Sequence, residues 1–147
     1  MAQGTLQHII EERGLESLID EVDSCGTAAY HTGNAPDSRT LWTLKEHGIT
    51  LDHSARQLEA ADFDKFDYIL AMDRENLAGI ESVARKVKSG KKPRVCLFGE
   101  YGKGKSRVIQ DPYYGPSNAG FDKAYEQSVE FSDGLIRAVQ EKEGPAL

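Results

Sequence analysis

The chain has 147 residues, 39% of them hydrophobic and 29% charged, which suits one domain with a packed core and excludes global disorder. Its net charge of −6 argues against a nucleic-acid binder held by phosphate contacts. Its longest apolar runs, such as Tyr68–Met72, fall far short of the about 20 residues that a membrane helix needs. Two cysteines, Cys25 and Cys96, with no Cys-x-x-Cys pair, give no basis for a zinc site or a disulfide framework, and fit a reduced, cytoplasmic setting.

The chain opens on a helical pattern, with Ala2, Leu6, Ile9, Ile10 and Arg13 near one face and Gly14 as the stop. No capping residue precedes it. Residues 18–24 read as a short strand ending in polar residues. Gly26 and Gly33 bracket a loop that holds Tyr30 and His31. Pro36-Asp37 opens a helix through about Lys45, closed by His47-Gly48, with Leu41 and Leu44 as its apolar stripe and Trp42 beside it. A polar connection with a short helix near Ala60–Asp64 leads to the clearest buried strand, Phe66–Met72. Asp73 is placed to cap a helix running to about Val87.

A basic segment from Lys86 to Arg94 reads as a solvated helix end and loop. Arg94–Phe98 is a second apolar strand, residues 99–118 form a long Gly- and Pro-punctuated loop, and Phe121 to about Gln140 is a terminal helix. Phe121, Ala124, Tyr125, Val129, Phe131 and Leu135 are its expected core contacts. The chain divides into one domain over 1–140 and a frayed tail over 141–147. Strands alternating with helices indicate an α/β sandwich with a largely parallel sheet, whose sites lie at the carboxyl ends of the strands. Here those ends are Asp23-Ser24, Met72-Asp73 and Phe98-Gly99.

Gly99–Ser106 matches the Gly-x4-Gly-Lys-Ser pattern of a nucleotide-binding loop. Such a loop needs a helix directly after it, so that the helix N-terminus faces the phosphates. Arg107-Val-Ile-Gln-Asp-Pro-Tyr-Tyr-Gly-Pro, with two β-branched residues and two prolines, makes that helix improbable. A flexible glycine-lysine loop is the better reading. In the loop that follows, Asp111-Pro112-Tyr113-Tyr114-Gly115 reads equally well as a turn covered by tyrosines or as a carboxylic acid beside an aromatic slot. A carboxyl in the second setting has a raised pKa and serves as a general acid. His53 in its own loop would ordinarily be structural or solvated.

Taken in order, "IIEERGL…VDSCGT", "GNAPDSRT", "HSARQ", "DYILAMDRENL" and "DPYYG" resemble the low-molecular-weight protein tyrosine phosphatases, from Met1 to about Val139. The resemblance implies a three-layer, doubly wound α/β sandwich with a four-stranded parallel sheet. It implies hydrolysis of phosphotyrosine proteins or small aryl phosphates through a phosphocysteine, with no metal and no cofactor. Carried over by motif, Asp111 is the general acid. Tyr113 and Tyr114 line the substrate entrance and are candidate phosphorylation sites, and Tyr30 walls the slot for the phenyl ring. Ser24, His53 and Asp73 support the phosphate-binding loop.

The family pattern starts with a buried strand, then Cys-x5-Arg-Ser-Pro, then the first helix. This sequence opens at that helix, and the expectation is an N-terminally truncated member whose sheet lacks the family's first central strand. Neither cysteine substitutes for the nucleophile, because six residues after Cys25 stands His31 and six after Cys96 stands Gly102. Cys25 and Cys96 therefore read as small core residues. The 147 residues are expected not to hydrolyse phosphotyrosine. A non-catalytic alternative is a protein-binding form that takes a partner strand at an exposed sheet edge. An arsenate reductase on the same scaffold ranks lower, since it would need relay cysteines and no cysteine follows Cys96.

Overall fold

The computed structural model describes residues 1–26, 38–51, 56–87, 92–103, 107–109 and 119–143. Helix α1 spans Ala2–Glu12, α2 Ser38–Glu46 and the single turn α3 Asp62–Lys65. Strand β1 spans Tyr68–Ala71, followed by α4 over Arg74–Ala84 and strand β2 over Arg94–Leu97. A 3-10 turn occupies Phe98–Tyr101, and α5 runs over Ala119–Glu143.

The helix ends follow the local chemistry. Gly14 takes φ +65° after α1 and Gly48 takes φ +75° after α2, the left-handed conformation that glycine adopts without a Cβ penalty. The returning amides complete each cap: Leu15 N–H donates to Ile10 O and Ile49 N–H to Leu44 O, both at 2.9 Å. α1 has no side-chain cap at its start. Thr5 bonds Met1 O through its amide at 3.1 Å, the first regular bond of the helix, and through its hydroxyl at 3.0 Å. α5 continues to Glu143, past the end the sequence suggested.

β1 and β2 pair in parallel, Tyr68 opposite Arg94 and Ala71 opposite Leu97, with α4 as the crossover. The alternation of strand side chains builds the layers. Tyr68 and Leu70, with Met72 just beyond, meet the cluster of Leu6, Ile10, Phe131, Leu135 and Ile136, so α1 and α5 cover one face. Ile69, Ala71 and Leu97 turn the other way, onto Leu58, Phe63 and Ile80, so α3 and α4 cover the opposite face. Helices on both faces of a parallel sheet make the α/β sandwich. No helix among the described residues is long and apolar enough to cross a membrane.

Two expectations need correction. Residues 18–24, expected as a strand, form none. A strand exists only through its ladder, and the sole described pairing nearby is the isolated parallel bridge of Gly26 with Gln57. Cys25 is not a core residue but is exposed, whereas Cys96 is buried as expected. On α5, Phe121, Ala124, Phe131 and Leu135 are buried, while Tyr125 and Val129 are only half-buried. On α2, Leu44 is fully buried, Leu41 half-buried and Trp42 63% exposed.

Candidate active site

Two of the seven site residues expected from the sequence, Ser24 and Asp73, fall among the described residues; Tyr30, His53, Asp111, Tyr113 and Tyr114 lie outside them. Asp73 sits where β1 hands over to α4. Its backbone is extended, and its carboxylate accepts the Asn76 amide at 2.7 Å, which satisfies one of the donors that the helix start leaves open. Beside it, Ile109 N–H donates to Met72 O at 2.8 Å and ties the segment leading to Asp111 onto the carboxyl end of β1. Arg107–Ile109 form no helix, which agrees with setting aside the nucleotide-loop reading of Gly99–Ser106.

Ser24 belongs to a polar relay that the sequence did not announce. Its hydroxyl donates to Gln3 Oε1 at 2.5 Å, and its amide donates to Asp23 Oδ1 at 2.8 Å. Arg56 Nε donates to Asp23 Oδ2 at 2.9 Å, and the other two guanidinium nitrogens reach the two Asp62 oxygens at 3.0 Å each. Asp62 also accepts the Glu59 amide at 2.8 Å. Burial opposes ionisation of Asp62, but the Arg56 hydrogen bonds and the Glu59 amide outweigh it and hold the carboxyl below its ordinary value. The hydrogen bonds that it donates to Asp62 keep Arg56 firmly protonated. Arg56 and Asp62 stand six positions apart but Asp23 lies 33 positions before Arg56, so no spacing rule marks the three together.

Neither thiol is a poised thiolate. Desolvation by the surrounding chain pushes Cys25 above the ordinary thiol range, helped by the charges of Asp62 and Asp23, and Arg56 only partly offsets it. Burial pushes Cys96 up as well, with Glu100 adding to the effect against Tyr101 and Arg94. A nucleophilic cysteine needs the reverse shift. Among the described residues no group of three or more His, Cys, Asp or Glu side chains is arranged to hold a metal ion.

Residues 1–144 match the family model described as low molecular weight phosphotyrosine protein phosphatase. The Schizosaccharomyces pombe low molecular weight phosphotyrosine protein phosphatase is 46% identical over 140 residues, covering 95% of this chain and 87% of the relative. The Saccharomyces cerevisiae protein of the same name is 34% identical over 93% of this chain and 84% of its own length. Among solved structures, the Drosophila arginine phosphatase superposes with a TM-score of 0.87 at 34% identity, covering 93% of this chain and 87% of that one. A protein tyrosine phosphatase from Entamoeba histolytica gives 0.84 at 27% identity, covering 97% and 88%.

Proposed function

The chain belongs to the low molecular weight phosphotyrosine protein phosphatase family, and from that premise we propose that its chemistry is hydrolysis of aryl phosphate monoesters, phosphotyrosine in proteins above all, in the cytoplasm. The observation that carries the reading is the family match across residues 1–144. In the reaction a loop thiolate attacks phosphorus and the P–O bond to the phenol breaks. Asp111 gives its proton to the departing phenolate oxygen. The Asp111 carboxylate then takes a proton from water as the water oxygen attacks phosphorus and the P–S bond breaks. Tyr30, Tyr113 and Tyr114 wall the aromatic ring of the substrate, and Ser24, His53 and Asp73 brace the phosphate loop. No metal or cofactor enters the scheme.

The 147 residues contain no Cys-x5-Arg, and both of their thiols are held above the ordinary range. These residues therefore supply the leaving-group acid and the substrate wall but not the nucleophile, and this polypeptide alone does not turn over. The test is p-nitrophenyl phosphate hydrolysis by the 147-residue chain and by the same chain joined to a strand and a Cys-x5-Arg-Ser-Pro loop. The expected result is no release above background from the first. The second releases nitrophenol, with about a 100-fold loss on Asp111→Asn. Phosphocysteine on the 147-residue chain would overturn the inactivity, and an inert joined chain would overturn the phosphatase reading. Phosphotyrosine, phosphoserine and phosphoarginine peptides, compared on the joined chain, separate the substrate classes.

A second reading is a non-catalytic form that binds a protein strand. It is supported by the described sheet having only two strands, so that β1 pairs with β2 along one side. A stable partner that co-purifies with the 147-residue chain, and that peptides of extended apolar sequence displace, favours this form. A chain that is unfolded alone and binds nothing counts against it.

A further inference from the structure

Gln3 lies in the first turn of α1 and is only 9% exposed, an expensive place for an amide unless its polar atoms are engaged. Its Oε1 accepts the Ser24 hydroxyl at 2.5 Å, across 21 positions of sequence. A serine hydroxyl has one proton and two lone pairs, and the proton rotates to whichever acceptor is best placed. With that proton on Gln3, Ser24 Oγ meets any further partner as an acceptor.

The serine backbone is fixed independently. Its amide donates to Asp23, whose other oxygen is held by Arg56, itself clamped to Asp62. The hydroxyl is thus set from α1 and the main chain from the ion pair. We propose that Gln3 is a positioning residue of the phosphatase, which fixes Ser24 as a hydrogen-bond acceptor in support of the phosphate loop. This rests on the reading of Ser24 given above. Gln3 touches no reacting atom and acts only through the serine.

The experiment is steady-state kinetics of the protein carrying the Cys-x5-Arg loop, on p-nitrophenyl phosphate, for Gln3→Leu, Ser24→Ala, the double substitution and Gln3→Glu. Gln3→Leu and Ser24→Ala each lower kcat roughly tenfold with KM within about twofold. The double variant is no worse than either single one, because both remove one device. Gln3→Glu keeps the acceptor and restores kcat to within about twofold. Multiplying losses, an unchanged kcat in Gln3→Leu, or a loss that Gln3→Glu does not rescue and that tracks a fall in Tm, would each overturn the proposal. A parent protein without any hydrolysis would overturn the phosphatase reading first, and this assignment with it, before any substitution is compared.

Discussion

Arg56 holds Asp62 through two hydrogen bonds of 3.0 Å, one from each terminal guanidinium nitrogen to each carboxylate oxygen. The carboxylate is nearly buried, with 9% of its side chain exposed, while the guanidinium keeps 30%. A fork-on-fork pair of this kind is directional, and removing the arginine leaves a buried charge with its main partner gone. Arg56→Leu should therefore cost about 2–3 kcal/mol, read as a lowered midpoint in urea unfolding at neutral pH. A cost under about 0.5 kcal/mol would show that the pair is solvated and idle.

The same pair sets an acid limit. Asp62 titrates below its ordinary value in the folded chain, and the unfolded value is about 3.9. A depressed folded pKa contributes stability that is fully present above the unfolded value and is lost as pH falls through the folded one. Thermal unfolding should accordingly show Tm falling below about pH 4 in the parent chain. Asp62→Asn should start from a lower Tm at pH 7 and fall less steeply over that window. Parallel curves for the two chains would remove Asp62 from the acid response.

How far such a relay can be read in advance depends on what local sequence encodes. The Asp73 cap, the Gly14 and Gly48 stops and strands β1 and β2 were legible because each depends on one residue's conformational preference or on a short apolar run. Residues 18–24 were not. Their composition suits a strand, but a strand is a pairing, and the ladder is a property of the neighbour. Gln3, Asp23, Arg56 and Asp62 escaped for a related reason, since three-dimensional proximity across 21 or 33 positions leaves no periodic trace. Cys25 escaped because small apolar character is a weak guide beside a turn.

Two serines one turn apart on α5 give opposite expectations. Both are fully buried, yet Ser128 donates to Ala124 O at 2.8 Å whereas the Ser132 hydroxyl has no partner among the described residues. Burying an unbonded hydroxyl costs about 1–3 kcal/mol, and alanine removes that cost at the loss of one small atom. Ser132→Ala should raise Tm by about 2–4 °C, and Ser128→Ala should leave it unchanged or lower it. A lower Tm for Ser132→Ala would show that the hydroxyl is bonded after all.

Glycines sort by what surrounds them. A Cβ built on Gly134 comes within 1.8 Å of the Tyr101 carbonyl oxygen, where the 3-10 turn rests directly on α5. Backbone cannot step aside as a flexible side chain does, so Gly134→Ala should cost about 3 kcal/mol or more. Gly14→Ala meets nothing within 4 Å and is disfavoured only by its φ of +65°, a cost of about 1–2 kcal/mol. Denaturant midpoints for the two variants should keep this order. A harmless Gly134→Ala would mean that the turn is not seated on the helix.

The thiols offer a check that does not depend on any substrate. Cys25 is exposed and Cys96 is buried, yet desolvation by the surrounding chain is the main cause that pushes both above the ordinary thiol range. Only the thiolate reacts with iodoacetamide. Cys25 should therefore be alkylated slowly at pH 7, with a rate that climbs about tenfold per pH unit up to pH 9, and Cys96 should be labelled only after unfolding. Mass spectrometry of the two peptides separates the sites. A Cys25 rate already flat between pH 5 and 8 would mean a thiolate stabilised at neutral pH, the property that a phosphocysteine nucleophile requires, and would reopen the assignment of this polypeptide as non-catalytic.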